Sequence, residues 1–141
     1  MNKKARIMLV HDEGLVLLPY KCTAGKTTIG VGRNIEDRGI SKKAAMLLLR
    51  EDIRLATDAC VRIFGEQFFT FSENRKLGWI NFTFNLGAHR VLQFKNTLKA
   101  ARKEDWEAVE KGLRNSLWFS QVKGRAERVI RMICYEEFPY H

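Results

Sequence analysis

Cysteine is scarce in this chain of 141 residues: there are three, Cys22, Cys60 and Cys134, with no Cys-x-x-Cys pair. An odd number at these spacings argues against a disulfide scaffold and fits free thiols in a reducing compartment. Histidine is equally sparse. His11, His89 and His141 stand far apart, outside any His-x-His or His-Glu-x-x-His context, so no metal site is expected and no cofactor is implied. Long apolar runs are missing too. Nothing approaches the ~18 residues of a membrane span. The stretch from Ile7 to Val10 is cut off by His11-Asp12-Glu13, too early for the core of a signal peptide. The expectation is a chain made in the cytoplasm without a leader. Internal repeats and low-complexity segments are absent as well.

What is present is an ordinary globular composition with a basic bias. Hydrophobic residues make up 45% of the chain, enough to bury a core in one domain or in two small lobes. Lys and Arg outnumber Asp and Glu by 25 to 16, a formal charge of +9. Such a charge attracts polyanions: nucleic acid, anionic lipid headgroups or an acidic cell-wall polymer. The basic residues are scattered, and no zinc-finger or RNA-recognition signature accompanies them, so nucleic acid is not an expected partner.

The pattern changes along the chain. Ala5 to Asp12 reads as a short amphipathic helix stopped by Gly14. From Leu15 to Gly32, residues such as Tyr20, Thr27, Thr28, Ile29 and Val31 favour strands, with Thr23-Ala24-Gly25-Lys26 as a turn between two runs. Gly30 and Gly32 permit a bend or a close backbone approach. From Ser41, a good N-cap, the period becomes helical. Ala44, Leu47, Leu48, Ile53, Leu55, Ala59 and Ile63 make a broad apolar stripe before Gly65. Ser72 starts another helix, apolar almost all round through Trp79, Ile80, Phe82, Phe84 and Leu86 and ended by Gly87. Helices at Asn96–Ala101, Glu104–Gly112 and Gly124–Glu137 follow. The fold class is therefore α+β: a small sheet lobe over about 14–40 and a helical lobe from about 1–13 and 41–141. A cleft between such lobes is the natural place for a ligand.

Glu13 stands where the first helix gives way to the sheet, and the spacing onward is Glu-x8-Cys-x5-Thr, through Cys22 to Thr28. A carboxyl at a helix end and polar groups on two strands of a hairpin can converge. This order, in the words Asp12-Glu13-Gly14, Tyr20-Lys21-Cys22 and Thr28-Ile29-Gly30-Val31-Gly32, resembles the phage lysozyme family. Later blocks resemble it in the same order: Asn81-Phe82-Thr83-Phe84-Asn85-Leu86-Gly87, Phe94-Lys95-Asn96-Thr97-Leu98, Trp106-Glu107-Ala108 and Trp118-Phe119 through Arg125-Ala126. The resemblance covers nearly the whole chain. The sheet region departs from it, being shorter than in longer members.

The resemblance implies a lysozyme-like fold and an endolysin that cuts the β-1,4 bond between N-acetylmuramic acid and N-acetylglucosamine in peptidoglycan glycan strands. Glu13 would be the general acid. The chemistry agrees, since glycosidic cleavage needs an acid at the leaving oxygen, and a glutamic acid in a partly dry cleft can stay protonated near neutrality. Arg125 would approach and hold that carboxyl. Cys22 stands where better-known members carry aspartate. As a thiolate, helped by cations such as Lys21, Lys26 or Arg125, it would activate or orient water, with Thr28 fixing the same water. Attack of the thiolate on the sugar is the other route, and water positioning is favoured. Phe84, Asn85 and Thr97 would line the glycan site. Arg33 and Asp52 would form a structural ion pair. Trp79, Trp106 and Trp118 read as packing residues. The implied setting is host lysis: synthesis in the host cytoplasm, release through a holin-like pore, and action on the wall as a monomer. The basic C-terminal helix with Arg125, Arg128 and Arg131 would touch anionic membrane weakly at most. The competing reading, motivated by Cys22 alone, is a lysozyme-like module that binds peptidoglycan with weakened catalysis.

Overall fold

The computed structural model describes residues 2–141. Their contacts divide the chain into two compact units, one ending at Leu48 and the other spanning Leu49–His141. The architecture is α+β, as the residue pattern predicts.

In the first unit, α1 (Lys3–Glu13) starts on Asn2, whose Oδ1 accepts from the backbone N–H groups of Lys4 and Ala5. It stops at Gly14, which takes φ +78°. The helix therefore begins earlier than the apolar pattern alone suggests, because the cap lies outside that pattern. A three-stranded antiparallel sheet follows, β1 (Val16–Lys21), β2 (Thr27–Gly30) and β3 (Arg33–Asn34), in the order β1-β2-β3. The register pairs Tyr20 with Thr28 and Thr28 with Asn34, so Thr28 occupies the central strand. The Asn34 side chain then caps a single-turn helix, α2 (Ile35–Arg38), accepting from Asp37 N–H.

The long helix α3 (Lys42–Phe64) starts at Ser41, whose Oγ accepts from Ala44 N–H at 3.1 Å, and ends at Gly65. Its buried residues are Ala56, Ala59, Cys60 and Phe64, an i, i+3, i+4, i+8 stripe in the C-terminal half. Leu47, Leu48, Ile53 and Leu55, read as part of one continuous stripe, are about half exposed. Only the second half of the helix packs on the helical core.

The second unit continues with α4 (Gln67–Thr70), α5 (Glu73–Leu86), α6 (Ala88–Leu92), α7 (Lys95–Arg102), α8 (Trp106–Arg114), α9 (Leu117–Val122) and α10 (Gly124–Tyr135). The one- and two-turn helices α4, α6 and α9 leave too short a stripe to be read from periodicity. The pattern places the start of α8 at Glu104, but the cap is Asp105, whose carboxylate accepts from Ala108 N–H. α5 is one-faced rather than apolar all round. It buries Arg75, Gly78, Trp79, Phe82, Thr83 and Leu86, and leaves Phe84 exposed. Trp79 packs edge-on between Phe64 and Phe82, and Phe82 meets Phe94 and Trp118 in the same way.

The closest helix pair is α5 on α10, and Gly78 sets its distance. A Cβ there would lie 2.7 Å from Ile133 Cγ1, 2.9 Å from Met132 Cβ and 3.0 Å from the Ile133 backbone nitrogen. Two polar clamps reinforce α10. Buried Arg75 donates through Nε to Ile133 O, lies over the Trp106 ring at 3.8 Å and pairs with Glu136. Arg114 on α8 bridges Glu110 and Glu127, and the Tyr135 hydroxyl donates to Glu110 at 2.6 Å. Those bonds hold the Glu110 and Glu127 carboxyls below their ordinary range, for Glu110 chiefly through Tyr135 and for Glu127 chiefly through Arg114.

Gly78→Ala tests the α5–α10 contact. Overpacking costs ~1–3 kcal/mol, partly offset by the ~1 kcal/mol gain in helix propensity. The expected result is a lower Tm in calorimetry, and a Tm equal to or above wild type would show that the helices are not in limiting contact.

Candidate active site

Glu13 is the last residue of α1, and Gly14 turns the chain away immediately after it. The residue is exposed, and its carboxyl lies against the backbone of a turn. A Cβ built on Gly32, in the turn between β2 and β3, would stand 2.5 Å from Glu13 Oε2 and 2.9 Å from Cδ. Gly32 has φ +63°, a left-handed conformation that favours glycine. The same residue thus supplies the turn and the space for the carboxyl.

Cys22 follows β1 at the start of the β1–β2 turn, where its N–H donates to Lys26 O at 3.0 Å. The Thr28 hydroxyl donates to the same carbonyl at 2.9 Å, and Thr28 is buried. One carbonyl therefore organises both residues. With its proton committed there, Thr28 Oγ1 keeps its lone pairs for an incoming donor. The Cys22 thiol is held below its ordinary pKa by the backbone N–H of Lys26 first and of Ala24 next. This corrects the expected cause. Lys21 and Lys26 were to supply the positive field, but they face Glu36 and Asp37 instead. Glu36 accepts from Thr27 N–H and Thr27 Oγ1, and Lys21 Nζ donates to Thr27 Oγ1 at 2.7 Å. That network braces the turn whose amides surround the sulfur.

Arg33 donates through Nε to Gly39 O at 3.0 Å, closing the end of α2. In the second unit, Asp52 borders an open groove with Leu55, Ala59, Arg62, Thr83 and Phe84. Phe84 is 42% exposed and also edges an apolar groove with Ile53, Leu77, Asn81 and Arg125. Asn85 accepts from the indole N–H of Trp118 at 2.8 Å, which orients its amide. Thr97 is buried, its hydroxyl pressed against Gly112 where α7 meets α8. Arg125, near the start of α10, donates through Nε to Asn81 Oδ1 at 2.9 Å. The tryptophans pack: Trp79 and Trp118 lie in the core, and Trp106 sits beneath Arg75.

With this geometry in place, comparison with known proteins decides the family. The sequence profile of the family described as Phage lysozyme matches residues 10–130. The chain belongs to the phage lysozyme family. The match begins just ahead of Glu13 and runs into α10, so it takes in both units of this phage lysozyme family member. Among similar proteins, "Probable T4-type lysozyme 1" of Dictyostelium discoideum is 31% identical, covering 94% of this chain and 95% of that one. "Peptidoglycan hydrolase gp36" of Pseudomonas phage phiKMV is 33% identical over 75% of this chain but only 12% of its own length. "Pre-baseplate central spike protein Gp5" of Enterobacteria phage T4 is 28% identical over 94% of this chain and 28% of its own. Membership in the phage lysozyme family makes the protein a glycoside hydrolase-type enzyme.

Sequence reasoning pointed to side chains and missed the backbone groups that surround them. The amides of Ala24 and Lys26 leave no mark in residue identity, and Gly32 showed only as a permissive position. Gly32→Ala adds a methyl group where the Glu13 carboxyl now stands, and it strains φ. Gly30→Ala is the matched control, because Gly30 has φ +73° with nothing near its Cβ position. Clearing of purified peptidoglycan is expected to slow at least about tenfold more in Gly32→Ala than in Gly30→Ala. Equal rates would show that the carboxyl's place on Gly32 does not matter.

Proposed function

We propose that the protein hydrolyses the β-1,4 bond between N-acetylmuramic acid and N-acetylglucosamine in bacterial peptidoglycan, as an endolysin that lyses a host cell. Two local arrangements in the first unit support this reading. A glutamate lies against the only kind of residue that leaves it room, and the backbone N–H of Cys22 shares the Lys26 carbonyl with the hydroxyl of buried Thr28. The family match and the peptidoglycan hydrolase among the similar proteins point to the same substrate class.

In the proposed mechanism Glu13 is the general acid. It delivers its proton to the glycosidic oxygen as the bond to the anomeric carbon breaks, and charge of oxocarbenium type develops on the sugar. Cys22, as thiolate, accepts a proton from the attacking water, whose oxygen forms the new bond on the opposite face. Thr28 accepts a hydrogen bond from that water and fixes its line of approach. The outcome is inversion. The backbone amides that lower the Cys22 pKa favour its thiolate, the form that corresponds to an aspartate's carboxylate. Arg125 is the supporting cation for Glu13, and Phe84 and Asn85 are the proposed glycan-binding residues. Asn85 presents an amide already oriented by Trp118. Thr97 acts through its packing at Gly112 rather than by exposure.

The proposed setting is synthesis in the host cytoplasm, release by a holin-like membrane pore and action on the wall as a monomer. Among the described residues no helix is long and apolar enough to cross a membrane. A net charge of +9 favours approach to an acidic wall.

Glu13→Gln keeps size and removes the transferable proton. Turbidity clearing of purified wall is expected to fall by about 10²-fold or more, and equal clearing by both proteins would defeat the enzyme reading. For Cys22, the serine variant is expected to lose most activity and the aspartate variant to keep part of it. Wild-type kcat should rise with pH as the thiol ionises, below the ordinary thiol range, and Cys22→Asp should lack that limb. A fully active Cys22→Ser excludes a thiolate role. Product NMR showing retention would replace the water mechanism by attack of sulfur on the sugar.

A further inference from the structure

Arg125 does not lie free along α10. Its Nε donates to Asn81 Oδ1 at 2.9 Å. Asn81 belongs to α5, one helical turn beyond Gly78 on the helix that packs most closely on α10. The other end of that amide, Nδ2, donates to Tyr140 Oη at 3.1 Å. Tyr140 lies beyond α10, on the C-terminal tail. The tail is held there by contacts of its own. The Arg128 guanidinium stands over the Tyr140 ring at 5.6 Å, and Phe138 packs on it with ring centroids 5.2 Å apart.

The three residues form a chain with one allowed polarity. A guanidinium only donates, so the amide must turn its oxygen towards Arg125. The amide nitrogen is then left facing the tail, and only an acceptor satisfies it. The phenol oxygen of Tyr140 is that acceptor. Without it, the Asn81 side chain loses the partner that opposes its rotation, and Arg125 Nε loses an oriented oxygen. Asn81, Arg125 and Tyr140 also border a groove otherwise walled by Leu49, Ile53, Leu77 and Phe84. The Arg125–Asn81 bond is part-buried, and there a hydrogen bond holds geometry more firmly than in open water. Within its own unit Arg125 makes no other hydrogen bond or ion pair, so both terminal nitrogens stay available while Nε is clamped.

We propose that Tyr140 is a positioning residue for hydrolysis. Acting through Asn81, it fixes the direction in which Arg125 presents its guanidinium. The proposal rests on the reading of Arg125 as the cation that supports Glu13. Tyr140 touches no reacting atom in this scheme. Its contribution is to restrict Arg125 to one orientation, so that less ordering remains to be done in the transition state.

The test compares Tyr140→Phe, Arg125→Gln and the double variant on purified peptidoglycan. Tyr140→Phe keeps the ring against Arg128 and Phe138 and removes only the acceptor. Its kcat is expected to fall about three- to tenfold, the loss typical of one hydrogen bond, with KM unchanged. Arg125→Gln should fall further, and adding Tyr140→Phe to it should cost nothing more, because the relay then has no output. A readout independent of activity is the Arg125 Nε–H resonance in 15N NMR. It should be protected from solvent exchange in wild type and lose protection in Tyr140→Phe at unchanged Tm. Full kcat in Tyr140→Phe beside an impaired Arg125→Gln overturns the relay and leaves the role of Arg125 standing. Independent losses that multiply in the double variant overturn it as well. Full activity in Arg125→Gln overturns the supporting role itself, and the relay with it.

Discussion

The contact of α5 with α10 at Gly78 is the constraint on which the second unit is built. Two helices approach this closely only where one of them has no side chain, and Gly78 lies directly over Ile133 and Met132. The approach aligns the apolar stripe of α5, from Trp79 to Leu86, with Val129, Ile130 and Ile133 of α10. It also fixes the spacing at which Asn81 reaches Arg125 and Arg75 reaches the last carbonyls of α10. Close packing here is therefore more than hydrophobic burial. It sets the lengths of polar bonds that each span two elements, and these hold only over a narrow range of separation.

The first unit meets a comparable demand with backbone rather than with a core. A three-stranded sheet of this size has little apolar area to bury. Its geometry rests on turns and polar braces: Gly14 ending α1, Gly32 beneath the Glu13 carboxyl, and Glu36 holding Thr27, Lys21 and Lys26 around the hairpin turn. Electrostatics there is local. The cations flanking Cys22 in sequence are neutralised by Glu36 and Asp37, and amide dipoles act on the sulfur in their place. A net positive chain can thus keep its charged side chains paired near the Cys22 thiol and still favour the anion, because backbone N–H groups carry fixed partial charges at hydrogen-bonding distance.

Much of this was legible in the residues. Ser41, Ser72 and Gly87 marked helix ends correctly because caps are local chemistry, with the side chain meeting a backbone group two or three residues away. The β run from Leu15 to Gly32 resolved into strands for the same reason, through short-range alternation and turn residues. Errors arose where the deciding partner was distant. Leu47 and Leu55 have the spacing of core residues, but burial depends on what packs against a face, which spacing does not contain. α4, α6 and α9 are shorter than the window in which a helical period shows. α5 reads as apolar almost all round, but one face packs on the core and Phe84 lies outside that face.

The sequence by itself determined the α+β class, the family, the ends of the longer helices and the identities at Glu13, Cys22 and Thr28, all carried by order and short spacing. Only tertiary structure decided which backbone atoms face those side chains. Gly32 under the carboxyl and the line from Tyr140 through Asn81 to Arg125 join residues far apart in the chain. Hydrogen bonds and van der Waals contacts act over a few ångströms of space. Which distant residues come within that range is a property of the packed chain, not of any local stretch of it.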